Sequence, residues 1–292
     1  MNWLRRIALG LGALVFLVLL VAGVLMLIGS SRFNRTYEVA SHPLPPADDS
    51  SMARGEYLAA TRGCTECHGA NLAGTMLVDD PMFARLYAPN LTRGRGGVGA
   101  SYTEADWEHA IRHGIGRDGK TLFIMPSPEF GTLSDVDVRA LVTYLSAQPP
   151  VDSAQPRRSI GPIPRLLVGA GVEMPLSARR IDHAAAHPAM KEERSVAYGA
   201  HVAQLCKGCH GANLGGSSSG PSPTPPLDAR GNLPRWTEEQ FVRTLRTGVT
   251  PEGKELDPAL MPWKPLGRMN DTELGALWMY LRTLHGQAAQ TR

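Results

Sequence analysis

The chain of 292 residues is short of several things. It holds four cysteines, and aromatic residues make up only 6%. With all four cysteines committed to one repeated motif, no thiol remains for a disulfide, a nucleophile or a separate metal site. Few aromatics beside 31 glycines and 23 prolines leave little bulky apolar side chain for a core. Small helical domains with long loops, closed around a large flat apolar group, suit that composition. Charge imbalance is lacking too: the net charge is only +3, and Arg5 and Arg6 account for two of those three units. No basic patch stands out, which excludes nucleic acid as a partner.

Charge is absent altogether from Ile7–Ile28. These 22 residues are enough to cross a bilayer core of ~30 Å at 1.5 Å per residue. A cleaved signal would carry an apolar region of only ~7–15 residues and a small-x-small cleavage site. A helix apolar on every face is either a membrane span or the buried centre of a domain, and an N-terminal run of this kind fits the second poorly. The expectation is an uncleaved single-pass anchor over residues 1–30.

All four cysteines fall in two pentads, Cys64-Thr65-Glu66-Cys67-His68 and Cys206-Lys207-Gly208-Cys209-His210. C-x-x-C-H is the attachment signature of c-type haem: two thiols bond to the haem vinyl groups and the next histidine reaches the iron. A zinc site built from both pairs would not need a histidine after each pair. A redox dithiol would sit in a βαβ pattern, which is missing.

The pentads belong to a longer duplication. Gly69-Ala70-Asn71-Leu72 returns as Gly211-Ala212-Asn213-Leu214. Thr103 and Thr237 each open a middle helix with a capping-box pattern, and Gly114 and Gly248 stand where those helices should stop. Ser134 with Asp137 and Asn270 with Glu273 cap a last helix. Its apolar stripe Val138, Leu141, Val142, Leu145 matches Leu274, Leu277, Trp278, Leu281 at a constant offset of 136, with the spacing of one buried helical face. Met125-Pro126 and Met261-Pro262 share that offset and lie 57 and 51 residues after their histidines.

On these residues the chain resembles a membrane-anchored dihaem cytochrome c built from two class I cytochrome c domains. The resemblance implies an all-α fold: anchor 1–30, tether 31–50, first domain 51–150, connector 151–190, second domain 191–292. It implies two covalently bound haem c groups, held by Cys64, Cys67, Cys206 and Cys209. The iron would be ligated by His68 and Met125 in one copy, and by His210 and Met261 in the other. In this family a loop-proline carbonyl orients each axial histidine; Pro89 and Pro226 are the candidates. His109 and His113, unmatched in the second copy, read as solvated or loop-bonding residues. Arg112 and Arg246 do match and read as surface ion pairs. The locally apolar connector is expected to pack on a domain or a partner.

Haem saturated by histidine and methionine has no place for substrate, so the implied role is electron transfer rather than catalysis. The haem domains would lie in the periplasm, anchored in the cytoplasmic membrane, with electron donor and acceptor proteins as partners, among them a dehydrogenase or a quinol-oxidising complex. A dihaem peroxidase is the rival reading and needs one open iron. A haem-based gas sensor would need an output module, and only the polar stretch Gly286–Arg292 follows the second domain.

Overall fold

The computed structural model describes residues 2–218 and 223–287. Helix α1 (Asn2–Asn34) comes first, followed by the helices of the first copy: α2 (Ser51–Thr61), α3 (Cys64–His68) and α4 (Glu104–Glu108). α4 continues as a π-turn, His109–His113. Then come α5 (Ser127–Phe130), α6 (Asp135–Ser146) and, in the connector, α7 (Pro162–Gly169). The second copy holds α8 (Val196–Val202), α9 (Gln204–His210), α10 (Glu238–Thr247), α11 (Trp263–Leu266) and α12 (Asp271–Gln287). α12 takes up the start of the expected polar tail; the rest of the tail, 288–292, lies outside the described residues.

The helices start and stop where capping chemistry places them. Thr103 and Thr237 close capping boxes with Asp106 and Gln240. Ser134 and Asn270 accept the backbone N–H of Asp137 and Glu273. Gly114 and Gly248 end the middle helices in the left-handed conformation.

In each copy the helix before the pentad crosses the last helix, and a glycine makes the crossing possible. A Cβ on Gly55 would lie 2.0 Å from the Ala140 carbonyl oxygen, and one on Gly199 1.9 Å from that of Ala276. Two cores form around these crossings. The first includes Leu58, Leu91, Trp107, Ile111, Leu141 and Leu145, and the second Val202, Phe241, Leu245, Leu274, Leu277 and Leu281.

The all-α expectation needs correcting, because the first copy carries a small antiparallel sheet. Strand β1 (Thr75–Asp80) pairs with β2 (Ala84–Ala88), and β2 with β3 (Ser159–Ile160) of the connector. The hairpin also explains the unequal repeats. From pentad histidine to its proline acceptor the first copy runs 21 residues and the second 15. That difference equals the one between the two histidine-to-methionine spacings.

The expected tether, 31–50, begins inside α1 and then lies against the first copy. Leu44 is buried in the first core, and the carbonyls of Leu44 and Pro45 accept bonds from Arg139. The connector packs as well. A third small core joins Phe33, Leu86, Phe123, Val168 and Leu176, so the end of α1, the sheet and the connector are one assembly.

Candidate functional site

Both pentads are short helices finished the same way. The glycine after each histidine, Gly69 or Gly211, has φ of 82° or 83°, a conformation that L side chains avoid. The chain then doubles back: Gly74 N–H reaches the His68 carbonyl at 2.8 Å, and Gly216 N–H the His210 carbonyl at 2.9 Å. Thr75 and Thr224 hydroxyls donate to the carbonyls of Cys67 and Cys209. Leu72 and Leu214, both buried, adopt positive φ of 57° and 59°, a costly conformation for leucine that recurs in both copies.

His68 and His210 are almost fully buried, at 7% and 6% exposure. His68 Nδ1 lies 2.8 Å from the Pro89 carbonyl oxygen. In the second copy the acceptor is Pro225, also at 2.8 Å, and not Pro226 as expected. Pro225 stands 136 residues after Pro89, the offset of the methionine pair, so the correct register was in the sequence. A carbonyl can only accept, so Nδ1 carries the proton and Nε2 is left with a free lone pair. Burial pushes both histidines below their ordinary pKa, against the carbonyl bond that raises it; both stay neutral, as a metal-ligating imidazole must. Burial pushes the Cys64 and Cys206 thiols up to about 12, so neither is a ready thiolate nucleophile.

In the first copy, Cys64, Cys67, His68 and Met125 line one apolar cavity of about 550 Å³, with Leu91, Trp107, Ile111, Phe130, Leu141 and Leu145 around them. That volume lies in the range of cofactor sites. Cys206 and Met261 likewise pack against the second core. Paired thiols, a neutral imidazole with an oriented ring and a thioether on an apolar wall form a donor set that fits haem c.

The two methionine loops are built differently. Ile124, just before Met125, has φ of 76°, a strained conformation for a β-branched residue. The connector holds it there: Ile124 N–H donates to the Pro175 carbonyl at 3.0 Å, and Ser177 Oγ donates to the Met125 carbonyl. Met261 is held by its own turn, its N–H bonded to the Asp257 carbonyl at 2.8 Å. The part played by Pro175 and Ser177 left no trace in the motif pattern.

The two copies meet at their pentads. Leu205, beside Cys206, packs against both cores. α5, just after Met125, packs on α9, where a Cβ on Gly208 would sit 2.2 Å from Glu129 Oε1. Reciprocally, α11, just after Met261, places Pro265 beside Gly63. At the same interface Arg62 Nη2 pairs with Glu273 Oε1 at 2.7 Å, the two side chains 4% and 0% exposed. The Tyr57 hydroxyl donates to the same carboxylate and accepts the Asn270 N–H at 2.9 Å. Burial pushes the Glu273 carboxyl up, and Arg62 and Tyr57 outweigh it, leaving the group below the usual carboxylate range.

One sequence reading changes here, that of Arg112 as a surface ion pair. Arg112 is fully buried. It donates to the Leu133 carbonyl, to Asp135 at 2.7 Å and to Glu108 at 3.3 Å. Arg246 does the same in a more exposed setting, with Asp271 at 2.7 Å and the carbonyls of Gly267 and Met269. Each arginine latches the middle helix to the cap of the last. Of the two readings of His113 the loop-bonding one holds: it is 1% exposed, 3.2 Å from Glu108 and 3.1 Å from His183 of the connector. His109 is partly exposed and faces the Ser41 hydroxyl at 3.1 Å.

The family model for cytochrome c matches the chain twice, over residues 52–148 and 196–285. The chain is 30% identical over 295 residues to a gluconate 2-dehydrogenase cytochrome c subunit of Pantoea cypripedii, covering 84% of this chain and 62% of that protein. It is 27% identical to a fructose dehydrogenase cytochrome subunit of Gluconobacter japonicus, covering 86% and 57%. Over 104 residues it is 38% identical to the cytochrome c subunit of an alcohol dehydrogenase (quinone) of Gluconobacter oxydans, covering 34% and 21%. The chain thus spans about three fifths of the length of the first two relatives.

Proposed function

Because the chain belongs to the cytochrome c family, we propose that it is a membrane-anchored dihaem relay that passes single electrons from a dehydrogenase to a downstream acceptor. Haem c supplies the redox centre when bound, through Cys64 and Cys67 in one copy and Cys206 and Cys209 in the other. His68 with Met125, and His210 with Met261, are the proposed axial pairs. The observation that carries the reading is the repeated geometry: in both copies a carbonyl fixes the imidazole of the pentad histidine, and a methionine packs against the apolar core of that copy. With haem bound, a thioether and an imidazole as its two protein ligands would leave no open position for substrate and would favour the reduced iron, which suits transfer over catalysis. The contact of each methionine-bearing loop with the other copy's pentad favours passage between the two centres.

The packing of α1 supports its retention as an anchor. Gly29 and Leu25 lie against the backbone of Arg165 and Gly169, and Ser30 Oγ accepts from Arg165, so cleavage near Ser31 would strip contacts from the folded domain. Attachment of haem c follows export in the family this chain resembles, so the haem domains are assigned to the periplasmic side of the cytoplasmic membrane. The named relatives, cytochrome subunits of sugar, sugar-acid and alcohol dehydrogenases, favour a dehydrogenase as donor.

Mild detergent extraction followed by purification through a tag on this chain tests the proposal. The expected product carries two haems per chain that survive acid–acetone extraction, and a co-purifying dehydrogenase whose substrate reduces both. A chain with bound zinc and no covalent haem would end the reading. Fast peroxide turnover by the untouched protein would replace the relay with an enzyme.

A further inference from the structure

The connector helix α7 lies along α1 at backbone contact. A Cβ on Gly29 would fall 1.9 Å from the Arg165 carbonyl oxygen, and one on Gly169 2.0 Å from that of Leu25. Only glycine permits so close an approach at these two points. As α7 advances from Arg165 to Gly169, its partner on α1 moves back from Gly29 to Leu25. The helices are therefore antiparallel, and α7 runs toward the apolar span. Counting from Ile7, a bilayer core of ~30 Å takes up about 20 residues at 1.5 Å each and ends near Met26. The last turn of α7 is level with that boundary.

The end of α7 is built for such a place. Gly171, at φ 89°, closes a Schellman motif: Val172 N–H donates to the Leu167 carbonyl at 2.9 Å, and Gly171 N–H to the Val168 carbonyl at 3.1 Å. Arg32 also donates to the Val168 carbonyl. The helix end thus satisfies its carbonyls within the protein, which matters where water is scarce. The turn presents apolar residues outward, Ala170 and Val172, the latter 46% exposed. Ile163, 41% exposed, begins the helix beside Met82 and lies farther from the span than Arg165, above the boundary. Arg165 donates to Ser30 Oγ at 2.8 Å, which places its guanidinium, with that of Arg32, just above the boundary, where cations meet lipid phosphates. Glu173, exposed in the same turn, limits the depth: its carboxylate must stay in the headgroup layer.

We infer that the turn ending α7 forms a lipid-facing seat: Val172 enters the acyl–headgroup boundary beside α1 and holds the first haem domain at a fixed height on the membrane. This rests on α1 being a retained anchor. The partner is the bilayer itself, because this turn is level with the end of the apolar span of α1.

The test uses the full-length, haem-loaded protein in phosphatidylcholine–phosphatidylglycerol vesicles, with all native cysteines in haem linkage. Single nitroxide labels are placed through Val18→Cys, Ile163→Cys, Val172→Cys and Leu260→Cys. Collision with oxygen, which concentrates in lipid, is compared with collision with a water-soluble nickel chelate. Positions 18 and 172 should lose chelate accessibility and gain oxygen accessibility relative to position 260, and position 163 should meet the chelate more freely than 172. Adding Gly29→Leu, which forces the helices apart, should return position 172 to the chelate while position 18 stays in lipid. If position 18 is in lipid but 172 meets the chelate as freely as 260, the seat is refuted and the anchor stands. A chelate-accessible position 18 refutes the anchor and the seat together. A label at 172 that remains in lipid despite Gly29→Leu would refute the helix crossing as its cause.

Discussion

Met125 and Met261 occupy equivalent places, yet different parts of the chain hold them. Met125 depends on Ser177 and Pro175, while Met261 depends on its own turn through Asp257. Ser177→Ala removes one hydrogen bond, of net value about 0.5–1.5 kcal/mol, from the first site alone. Cyanide should then displace the axial ligand faster at the first haem and at an unchanged rate at the second, as followed by stopped-flow absorbance. Met125→Ala or Met261→Ala should convert the affected haem to high spin and raise peroxide turnover, because peroxide must reach the iron to be split. Met→His at either site should keep low spin and lower that haem's potential, since imidazole stabilises the oxidised iron better than a thioether does. Potentiometric titration of each variant reads this. The sequence carried the cysteines, histidines and methionines through motif and offset. It did not carry Ser177, because a hydroxyl bonding a carbonyl 52 residues away leaves no periodic mark. Pro225 was there to be read, since the offset of 136 selects it over its neighbour.

At the scale of elements, the helices were legible because capping residues and apolar stripes act locally, and Thr103, Thr237, Ser134 and Asn270 cap as their side chains predict. The sheet was missed although Ala84, Leu86 and Ala88 alternate as a half-buried strand does. Its partner β3 comes from the connector, 70 residues on, where only Ser159 and Ile160 pair. The burial of His113 and Arg112 was equally out of reach, since the connector and the cap of α6 cover them from a distance in sequence. The helix crossings give a direct test. Gly55→Ala places a methyl group where the Ala140 carbonyl lies, and Gly199→Ala does the same at Ala276. Each should destabilise its own copy by about 1–3 kcal/mol, the usual cost of overpacking. Chemical denaturation followed at the haem absorbance of each copy would show it.

For the whole molecule, the interface at Glu273 decides whether the two copies work as one body. Arg62→Ala leaves a buried carboxylate without its cation and should cost about 3–5 kcal/mol, read as a lower denaturation midpoint and earlier separation of the copies. Acid should act in the same direction. The Glu273 pKa in the folded protein lies below its unfolded value of ~4.3. Its contribution is therefore fully present above that pH and is lost as pH falls through the folded value. Small-angle scattering between pH 6 and pH 3 should show the copies moving apart at the low end, and Glu273→Gln should flatten that dependence. The central claim, two saturated haem centres on one chain acting as a relay, is tested most directly by electron paramagnetic resonance of the fully oxidised, untouched protein, with spins counted against chain concentration. The account predicts two low-spin ferric signals per chain and no high-spin signal. A stoichiometric high-spin signal, or a single spin per chain, would contradict it.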